Sequence, residues 1–532
     1  MKTATKTLVL TSISSVALAL MLSTPTHAQL RGLTGSTPYV LPVDTRTETI
    51  SLLTVDNTGS TPDDVVPKFG GGFYGMAGIP DGLGAFDNGD GTFTLLVNHE
   101  LGINSGVVRD HGGKGAFVSR WSISIDTLNV LYGGDLIQQV YGWDPPREQV
   151  NVTPEVGNFN RFCSADLPEV TAFYDTRDGF GTQVRMLLNG EEGGATGLAR
   201  ATIVTGPDAG KSYNLGKFNL STNGSRQEGV GAWENLLASP YPQNKTVVIG
   251  TSDGGTGIMN NAVAVYVGFK QRSGSSEVEK AGLTNGTVQF VNVSGNPLEI
   301  VDTTTRATNI VNGTPFTLSS TSSTTFSRPE DGAWNPLNRN QFYFVTTDQL
   351  DLASEGLGAQ IGRTRLWRLN FADITRPELG GTIDLLIDGR TVNGDKVNMF
   401  DNIAVNQTTG RVILQEDTGA AVHNGKIWEY DPSTFTGVTN TGTLTMIAKH
   451  DPARFGDRVG NVTTPATLPF TNDEETSGVI DITNIMKASR LHRGNPGEAW
   501  YISVDQAHYT QGITTEQVEG GQIFVIHQLG SR

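Results

Sequence analysis

Six short runs of alternating apolar residues recur along the chain, and each run ends at an acidic residue. The acidic ends are Glu100, Glu192, Asp253, Asp348, Asp417 and Asp505. A second strand-like run follows each of them. Apolar residues at every second position predict extended strands, because side chains alternate between the two faces of a strand. Small antiparallel sheets repeated along one chain suit radial packing around a channel, so the sequence predicts an all-β fold, a six-bladed β-propeller.

A further strand-like run, predicted to be the innermost strand of its sheet, precedes five of the six repeats. Each of these runs carries one side chain that can bind a metal: Cys163, Glu228, Glu330, Asp401 and Glu475. The innermost strands of a propeller line its central channel. These side chains are therefore expected to converge there, with the metal site in the channel.

Adjacent acidic residues close two of the apolar strands, as Glu191 with Glu192 and as Glu416 with Asp417. Neighbouring carboxylates repel unless a cation holds them, so both pairs predict metal binding. The acids at the other strand ends are equally compatible with metal binding and with solvated or capping roles. The net charge of -16 fits a protein that binds cations and argues against nucleic acid as a partner.

An arginine stands two residues before each of the first three candidate channel ligands, at Arg161, Arg226 and Arg328. Residues two apart on a strand point to the same face, so each guanidinium is expected beside its ligand. Metal cations and planar donor groups facing one space would bind an anion such as phosphate. The alternative is that each arginine pairs with a nearby carboxylate, and Arg226 is equally compatible with a solvent-facing position.

The N-terminal residues 1–28 are predicted to be a signal peptide that is cleaved after Ala28. The mature chain, 29–532, is then a secreted or periplasmic single domain, and no later apolar run is long enough to span a bilayer. The single cysteine cannot close an internal disulfide, so Cys163 is either buried and inert or committed to other chemistry.

Two further expectations concern the ends of the chain and its long polar stretches. The alternating run Glu48–Asn57 is predicted to complete the last sheet of the propeller, which lacks an outer strand of its own. The Ser/Thr/Gly-rich stretches 272–327 and 432–471 are predicted to be loop insertions.

Several motifs resemble those of the PhoX-type alkaline phosphatases, from about Asn98 to Asp481. The motifs are NRFCSAD, LLNGEEGG, SRPEDGAWNP, FYFVTTD, RLWRLN and FDNIAVNQTTGRVILQEDTG. The resemblance implies a six-bladed propeller whose channel holds ferric iron and calcium. It implies that Cys163 gives a thiolate to iron, that Glu228 and Glu330 bind metals, and that Arg328 contacts phosphate. It places Glu100, Glu192, Asp401, Glu416 and Glu475 in the remaining metal shell. Members of this family usually carry a twin-arginine signal, whereas MKTATKTLVL has no arginine pair.

These observations together predict a secreted, monomeric phosphomonoesterase that releases phosphate from small-molecule esters. The enzyme would use an iron and calcium cluster, with Arg328 and Arg161 as catalytic arginines and Arg226 as a third phosphate-binding group. One alternative is a calcium-dependent propeller hydrolase, such as a lactonase or a phytase-like esterase. The other is a non-catalytic extracellular propeller braced by calcium. The calcium-dependent hydrolase would use the acids but would need neither Cys163 nor three arginines.

Overall fold

The structure is a computed structural model that describes residues 32, 34–55, 64–193, 197–218, 232–255, 257–349, 363–392, 397–419, 424–459 and 462–530. The predicted signal peptide lies outside the described residues, as do Arg226 and Glu228. None of the helices in the described ranges has the length and apolar character needed to cross a membrane.

Nearly all of the regular structure in the described residues is β-strand. The strands before residue 160 are β1 (Val40–Pro42), β2 (Thr47–Val55), β3 (Val65–Pro67), β4 (Phe73–Gly75), β5 (Pro80–Asp87), β6 (Thr92–His99), β7 (Phe117–Ser124), β8 (Val130–Asp135), β9 (Gln139–Tyr141), β10 (Trp143–Asp144) and β11 (Gln149–Val150). The next are β12 (Phe162–Asp166), β13 (Tyr174–Asp175), β14 (Phe180–Gly181), β15 (Met186–Glu191), β16 (Ala199–Ile203), β17 (Lys211–Asn214), β18 (Trp233–Ala238), β19 (Lys245–Ser252), β20 (Val263–Phe269), β21 (Thr287–Val293) and β22 (Thr314–Ser319). The last are β23 (Pro329–Trp334), β24 (Gln341–Thr346), β25 (Arg365–Phe371), β26 (Gly381–Asp388), β27 (Phe400–Val405), β28 (Val412–Glu416), β29 (Lys426–Asp431), β30 (Thr443–His450), β31 (Asp457–Val459), β32 (Val462–Thr464), β33 (Glu474–Asp481), β34 (Ala499–Ala507) and β35 (Gly521–Gln528). Helices are short: α1 (Glu277–Lys280), α2 (Pro452–Phe455) and α3 (Thr483–Met486).

Consecutive strands pair into antiparallel sheets, as the alternating sequence pattern predicts. One sheet is β5–β6–β7–β8, and another is β12–β15–β16–β17 with β9 added in parallel at its edge. The series β18 to β21 and β23 to β26 join through β22 into one nine-stranded sheet. Strands β27 to β30 form a sheet with β1, and β33 to β35 form a sheet with β2.

The first strands of these series, which we call the inner strands, are β5, β12, β18, β23, β27 and β33. Each inner strand contacts the next in this order, and β33 contacts β5, so the contacts run in a closed circle. Glycines permit the close approach: a Cβ on Gly82 would lie 2.2 Å from the backbone nitrogen of Ala165. A Cβ on Gly478 would lie 2.4 Å from the carbonyl oxygen of Asp81. The fold is thus propeller-like, with the inner strands around its axis.

The two ends of the described chain pair with each other. Strand β2 runs antiparallel to β35, from Thr47 opposite Gln528 to Val55 opposite Gly521. The prediction that the N-terminal strand completes the last sheet is confirmed for the residues of the run that the structure describes. The pairing closes the circle with contacts between residues far apart in sequence.

The two polar stretches predicted as loop insertions are not loops throughout. Segment 272–327 contains α1, β21 and β22, and segment 432–471 contains β30, α2, β31 and β32. The alternating residues in TVQFVNV (287–293) explain the first difference, because they form β21, which pairs with β20 on one side and β22 on the other.

The closing strand should be essential to stability. Leu53 on β2 is fully buried and packs in an apolar cluster with Ile523 and Val525 of β35. We expect Leu53→Ala to lower the free energy of unfolding by about 2–5 kcal/mol, because the lost methyl groups leave a cavity. Chemical denaturation measures this change. The control is Leu337→Ala, at a side chain that is 62% exposed; equal losses in the two variants would contradict the closing role.

Candidate metal centre

Every inner strand carries an acidic or thiol side chain at its second position. These residues are Asp81, Cys163, Glu234, Glu330, Asp401 and Glu475. The register with the following strand shifts just beyond this position, for example between Phe162 and Ala165 and between Pro329 and Gly332. Similar shifts occur at the other four inner strands. Such β-bulges re-aim side chains, which explains how strands of ordinary pattern turn one ligand each toward the axis.

Among the residues that the structure describes, these side chains meet residues from the ends of neighbouring strands in four overlapping groups. Within each group the potential ligand atoms lie within 4.8 Å of one another. The groups are Asp81 with Glu100 and Cys163, Cys163 with Glu192 and Glu234, Glu234 with Glu330 and Asp401, and Asp401 with Asp417 and Glu475. Each group shares one residue with the next, so the donors form a continuous chain around the axis. Cys163 belongs to two groups and is the only sulfur among them.

Six of the eight metal ligands predicted from the sequence lie in these groups: Cys163, Glu330, Glu100, Glu192, Asp401 and Glu475. Glu416 lies elsewhere, because its carboxylate accepts hydrogen bonds from the backbone nitrogen of Asn398 at 2.9 Å and from Trp428 Nε1 at 2.9 Å. Its neighbour Asp417 takes part instead. The eighth, Glu228, falls outside the described residues, and Glu234 occupies the second position of that sheet's inner strand.

Sequence reasoning missed Asp81 and Glu234, and it named Asp417 only as a member of the Glu416–Asp417 pair. The sequence held a usable signal for Asp81 and Glu234. PDG at the start of β5 and WEN at the start of β18 have an acid at their second position, where FCS of β12 has its cysteine and PED of β23 its glutamate. The choice between Glu416 and Asp417 had no such signal.

The remaining acids at the ends of strands bind protein cations. Asp348 forms an ion pair with Arg306, and Asp505 Oδ2 lies 2.5 Å from Nε2 of the buried His450. Asp253 receives hydrogen bonds from Arg328. None of these three belongs to the four donor groups.

The donor groups contain more carboxylates than the two neighbouring arginines, Arg161 and Arg328, can neutralise. Burial first, and neighbouring carboxylates second, raise the pKa of Glu192 to about 8, and they hold the pKa of Asp81, Glu330 and Asp401 well above its usual range. Asp81 Oδ1 is buried without a hydrogen-bond partner among the described residues, and Glu330 Oε1 has only the ion pair with Arg328 Nη2 at 2.8 Å. Bound cations would satisfy these oxygens. Carboxylates suit a hard cation such as calcium, and a thiolate suits iron, so the donor set fits both.

The exception is Glu475, whose pKa is lowered. Burial acts against this shift, but bonds from His508 and Ser477 stabilise the carboxylate and outweigh it. His508 Nδ1 also lies 2.8 Å from Oε2 of Glu519. Despite its burial, the two carboxylates raise the pKa of His508 to about 11.

The metal-free protein should lose stability as pH rises. Glu192, with a folded pKa of about 8, and Glu234 and Asp417, each with about 7, bind protons more tightly when folded than when unfolded. The ordinary pKa is 4.5 for the two glutamates and 3.8 for the aspartate. Between these values and the folded ones the native state holds more protons, so raising the pH favours unfolding. We expect the Tm of chelator-treated protein to fall from pH 5 to pH 8. Added calcium should raise Tm more at pH 8 than at pH 5, because cations bind the deprotonated carboxylates.

Potassium chloride at matched ionic strength is the control for simple screening in this experiment. A calcium effect that is equal at both pH values, or that potassium reproduces, would contradict a cation site formed by these acids.

Arg161 and Arg328 lie at the edge of the donor groups, in turns that lead into β12 and β23. Both have left-handed backbone conformations, with φ of 48° and 57°. Ile79 and Met399 hold the same position before Asp81 and Asp401, with φ of 49° and 44°. The arginines therefore reach the ligands through a left-handed turn, and not through the strand alternation that the sequence suggested. Non-glycine residues rarely adopt this conformation, and where they do it often marks a functional site.

Each arginine spans two carboxylates. Arg161 Nη2 contacts Glu100 Oε1 and lies 2.6 Å from Glu192 Oε2. Arg328 Nη2 lies 2.9 Å from Asp253 Oδ2 and 2.8 Å from Glu330 Oε1. The side chains remain 49% and 37% exposed, so both can still be reached from solvent.

Comparison with known proteins shows similarity at the level of the fold. No family model matches the chain, and no curated protein matches its sequence. The structure of Pseudomonas fluorescens PhoX in complex with vanadate, a transition state analogue, is similar over 93% of this chain and 97% of that chain, with a TM-score of 0.53 and 10% identity. A phage phi92 endosialidase overlaps over 86% of this chain and 67% of its own, with a TM-score of 0.39 and 9% identity. At these identities the likeness to PhoX concerns the fold alone.

Proposed function

We propose that the protein is a secreted, metal-dependent phosphomonoesterase built as a six-bladed β-propeller. The observation that carries the proposal is the position of Arg161 and Arg328 beside one continuous chain of buried and half-buried donors. Buried carboxylates with unsatisfied oxygens call for cations, and exposed guanidinium groups beside them call for an anion. A phosphate group meets both requirements at once.

The donor groups divide by chemistry. The two groups that contain Cys163 are the proposed iron sites, because they combine a soft thiolate with carboxylates. The two all-oxygen groups around Glu330, Asp401 and Glu475 are the proposed calcium sites. When bound, these ions supply Lewis-acid charge to the phosphoryl oxygens.

The arginines would orient the ester and stabilise charge on its oxygens. A carboxylate that binds a cation is a weaker acceptor for a guanidinium, so Glu100, Glu192 and Glu330 would then hold the arginines less tightly. The donors of Arg161 and Arg328 become available to phosphate oxygens, which match their planar geometry. Charge-assisted bonds of this kind are strongest where the transition state concentrates negative charge.

The likeness to PhoX supports the same ligand chemistry. That structure contains vanadate, a transition state analogue. An oxyanion in a protein of similar fold agrees with the anion site proposed for Arg161 and Arg328 in this chain.

Elemental analysis of the purified protein, combined with a phosphate-release assay on a generic phosphate monoester at alkaline pH, tests the proposal. We expect the purified protein to contain both iron and calcium, and we expect phosphate release to stop when a chelator removes these metals. Calcium without iron, with no phosphate release, would overturn the proposal and favour a calcium-dependent hydrolase of another ester or a non-catalytic propeller.

A further inference from the structure

Arg328 is held along one edge by Asp253, which follows β19 in the neighbouring series of strands. Arg328 Nε lies 3.0 Å from Asp253 Oδ2 and 3.2 Å from Oδ1, and Arg328 Nη2 lies 2.9 Å from Oδ2. In the described residues none of the hydrogen bonds of Arg328 uses Nη1. Asp253 thus fixes the direction of the guanidinium plane. Nη2 also lies 2.8 Å from Glu330 Oε1, which leaves Nη1 for another acceptor.

The backbone before Arg328 is fixed as well, through Ser327. The Ser327 nitrogen donates to Glu299 Oε2 at 2.7 Å, and its carbonyl accepts from the Asp348 nitrogen at 2.9 Å. Its hydroxyl donates to Asp348 Oδ1 at 2.8 Å and accepts from Arg306 Nη2 at 3.0 Å. Ser327 therefore uses its backbone nitrogen, its backbone carbonyl and its hydroxyl in hydrogen bonds, and it directly precedes Arg328, whose backbone is left-handed.

A fully buried ion pair holds Glu299, the residue that accepts the hydrogen bond from the Ser327 nitrogen. Glu299 and Arg365 have no exposed side-chain surface, and Glu299 Oε1 accepts a hydrogen bond from Arg365 Nη1 at 2.7 Å. Arg365 also donates through Nη2 to the carbonyl of Arg306. Glu299, Arg306 and Ser327 belong to the polar stretch 272–327, whereas Arg365 begins β25. The stretch is therefore anchored to the sheet that carries Arg328.

We propose that Asp253 and Ser327 are positioning residues for Arg328 and set its guanidinium in the orientation that receives a phosphate oxygen. This inference rests on the proposed function, because it assigns the phosphate contact to Arg328. The physical reason is that an arginine side chain loses much rotamer freedom on ordering, and a group already held in place loses less when the ligand arrives. Small misplacements of such a group weaken catalysis strongly.

A double-mutant cycle separates positioning from general stabilisation. Asp253→Asn keeps the size of the side chain and removes its charge, and we expect kcat/KM to fall about 10-fold or more. In an Arg328→Ala background the same change should have an effect below about twofold, because a residue that acts through Arg328 has nothing left to position.

The matched control is Asp384→Asn, which breaks a comparable ion pair with Arg368 on the outer part of the same sheet, with Nη2 and Oδ2 at 2.7 Å. It should leave kcat/KM unchanged. Ser327→Ala, which removes only a hydroxyl, gives a second and milder positioning variant and should lower kcat/KM in the parent background alone.

Binding of inorganic phosphate to the metal-loaded protein, measured by calorimetry, provides a readout besides activity. We expect Asp253→Asn to weaken phosphate binding in parallel with kcat/KM while metal content stays at the parent ratio. If the parent protein is active and Asp253→Asn and Ser327→Ala leave kcat/KM unchanged, as Asp384→Asn should, the positioning role is overturned and the proposed function stands. If the parent releases no phosphate but binds it in a manner that depends on Arg328 and Asp253, the proposed function fails and the positioning role stands. If the parent neither releases nor binds phosphate, both fail.

Discussion

Cys163→Ser is expected to abolish iron binding and to lower activity by roughly 10²-fold or more. The sulfur is shared by two donor groups and donates to Glu192 Oε2 at 3.1 Å. Serine has nearly the same size, but its hydroxyl is a poor ligand for iron compared with a thiolate. The variant should therefore fold and keep the calcium that the all-oxygen groups bind. Elemental analysis, the thiolate-to-iron absorption band and the phosphate-release assay measure the three effects.

Thiol titration gives an internal control in the parent protein, because the chain has a single cysteine. The thiol should react only after metal removal and unfolding. Thermal unfolding of the two metal-free proteins checks that the substitution leaves the fold intact. A serine variant with parental iron content and activity would remove Cys163 from the metal centre and return it to the role of a buried, inert residue.

Arg328→Ala is expected to lower kcat/KM by roughly 10²-fold or more. Each lost charge-assisted hydrogen bond is worth about 1.5–3 kcal/mol, and the contact strengthens as charge develops on the phosphate oxygens. Arg328→Lys should recover only part of the loss, since one ammonium group cannot reproduce two donors in a plane. Metal content should stay at the parent ratio, because a guanidinium has no lone pair to offer a cation.

The matched control is Arg368→Ala, an arginine paired with Asp384 on the same sheet and outside the donor groups. It should leave kcat/KM unchanged. Unchanged kinetics in Arg328→Ala, or a loss of metal as large as that caused by Glu330→Gln, would make Arg328 a structural ion-pair partner and would weaken the phosphatase proposal.

Alternation and repetition were sufficient to predict the strands and the identity of most inner strands. The runs around Cys163, Glu330, Asp401 and Glu475 each begin a sheet, as expected. Pairing of the chain ends also followed from sequence, because the last sheet had too few strands of its own. These features depend on local periodicity and on the need to satisfy strand edges, and both can be read from residue order.

The orientation of individual acids depended on tertiary contacts. Glu416 and Asp417 are adjacent, and only the positions of the Asn398 backbone and of Trp428 decide that the first bonds to the protein while the second faces the axis. Asp253 and Asp348 looked equivalent to Glu100 in sequence, because all three end an alternating apolar run. In the structure Asp253 and Asp348 pair with Arg328 and Arg306, which come from other parts of the chain.

By itself the sequence determined an all-β chain of repeated antiparallel sheets, with one potential ligand near the start of most inner strands. Only the tertiary structure decided which acids join the donor groups and how the arginines reach them. The physical reason is that strand periodicity follows from the local backbone, whereas a side chain's final direction depends on bulges, on left-handed turns at Arg161 and Arg328, and on partners in neighbouring sheets. Those partners become neighbours only when the circle of inner strands closes.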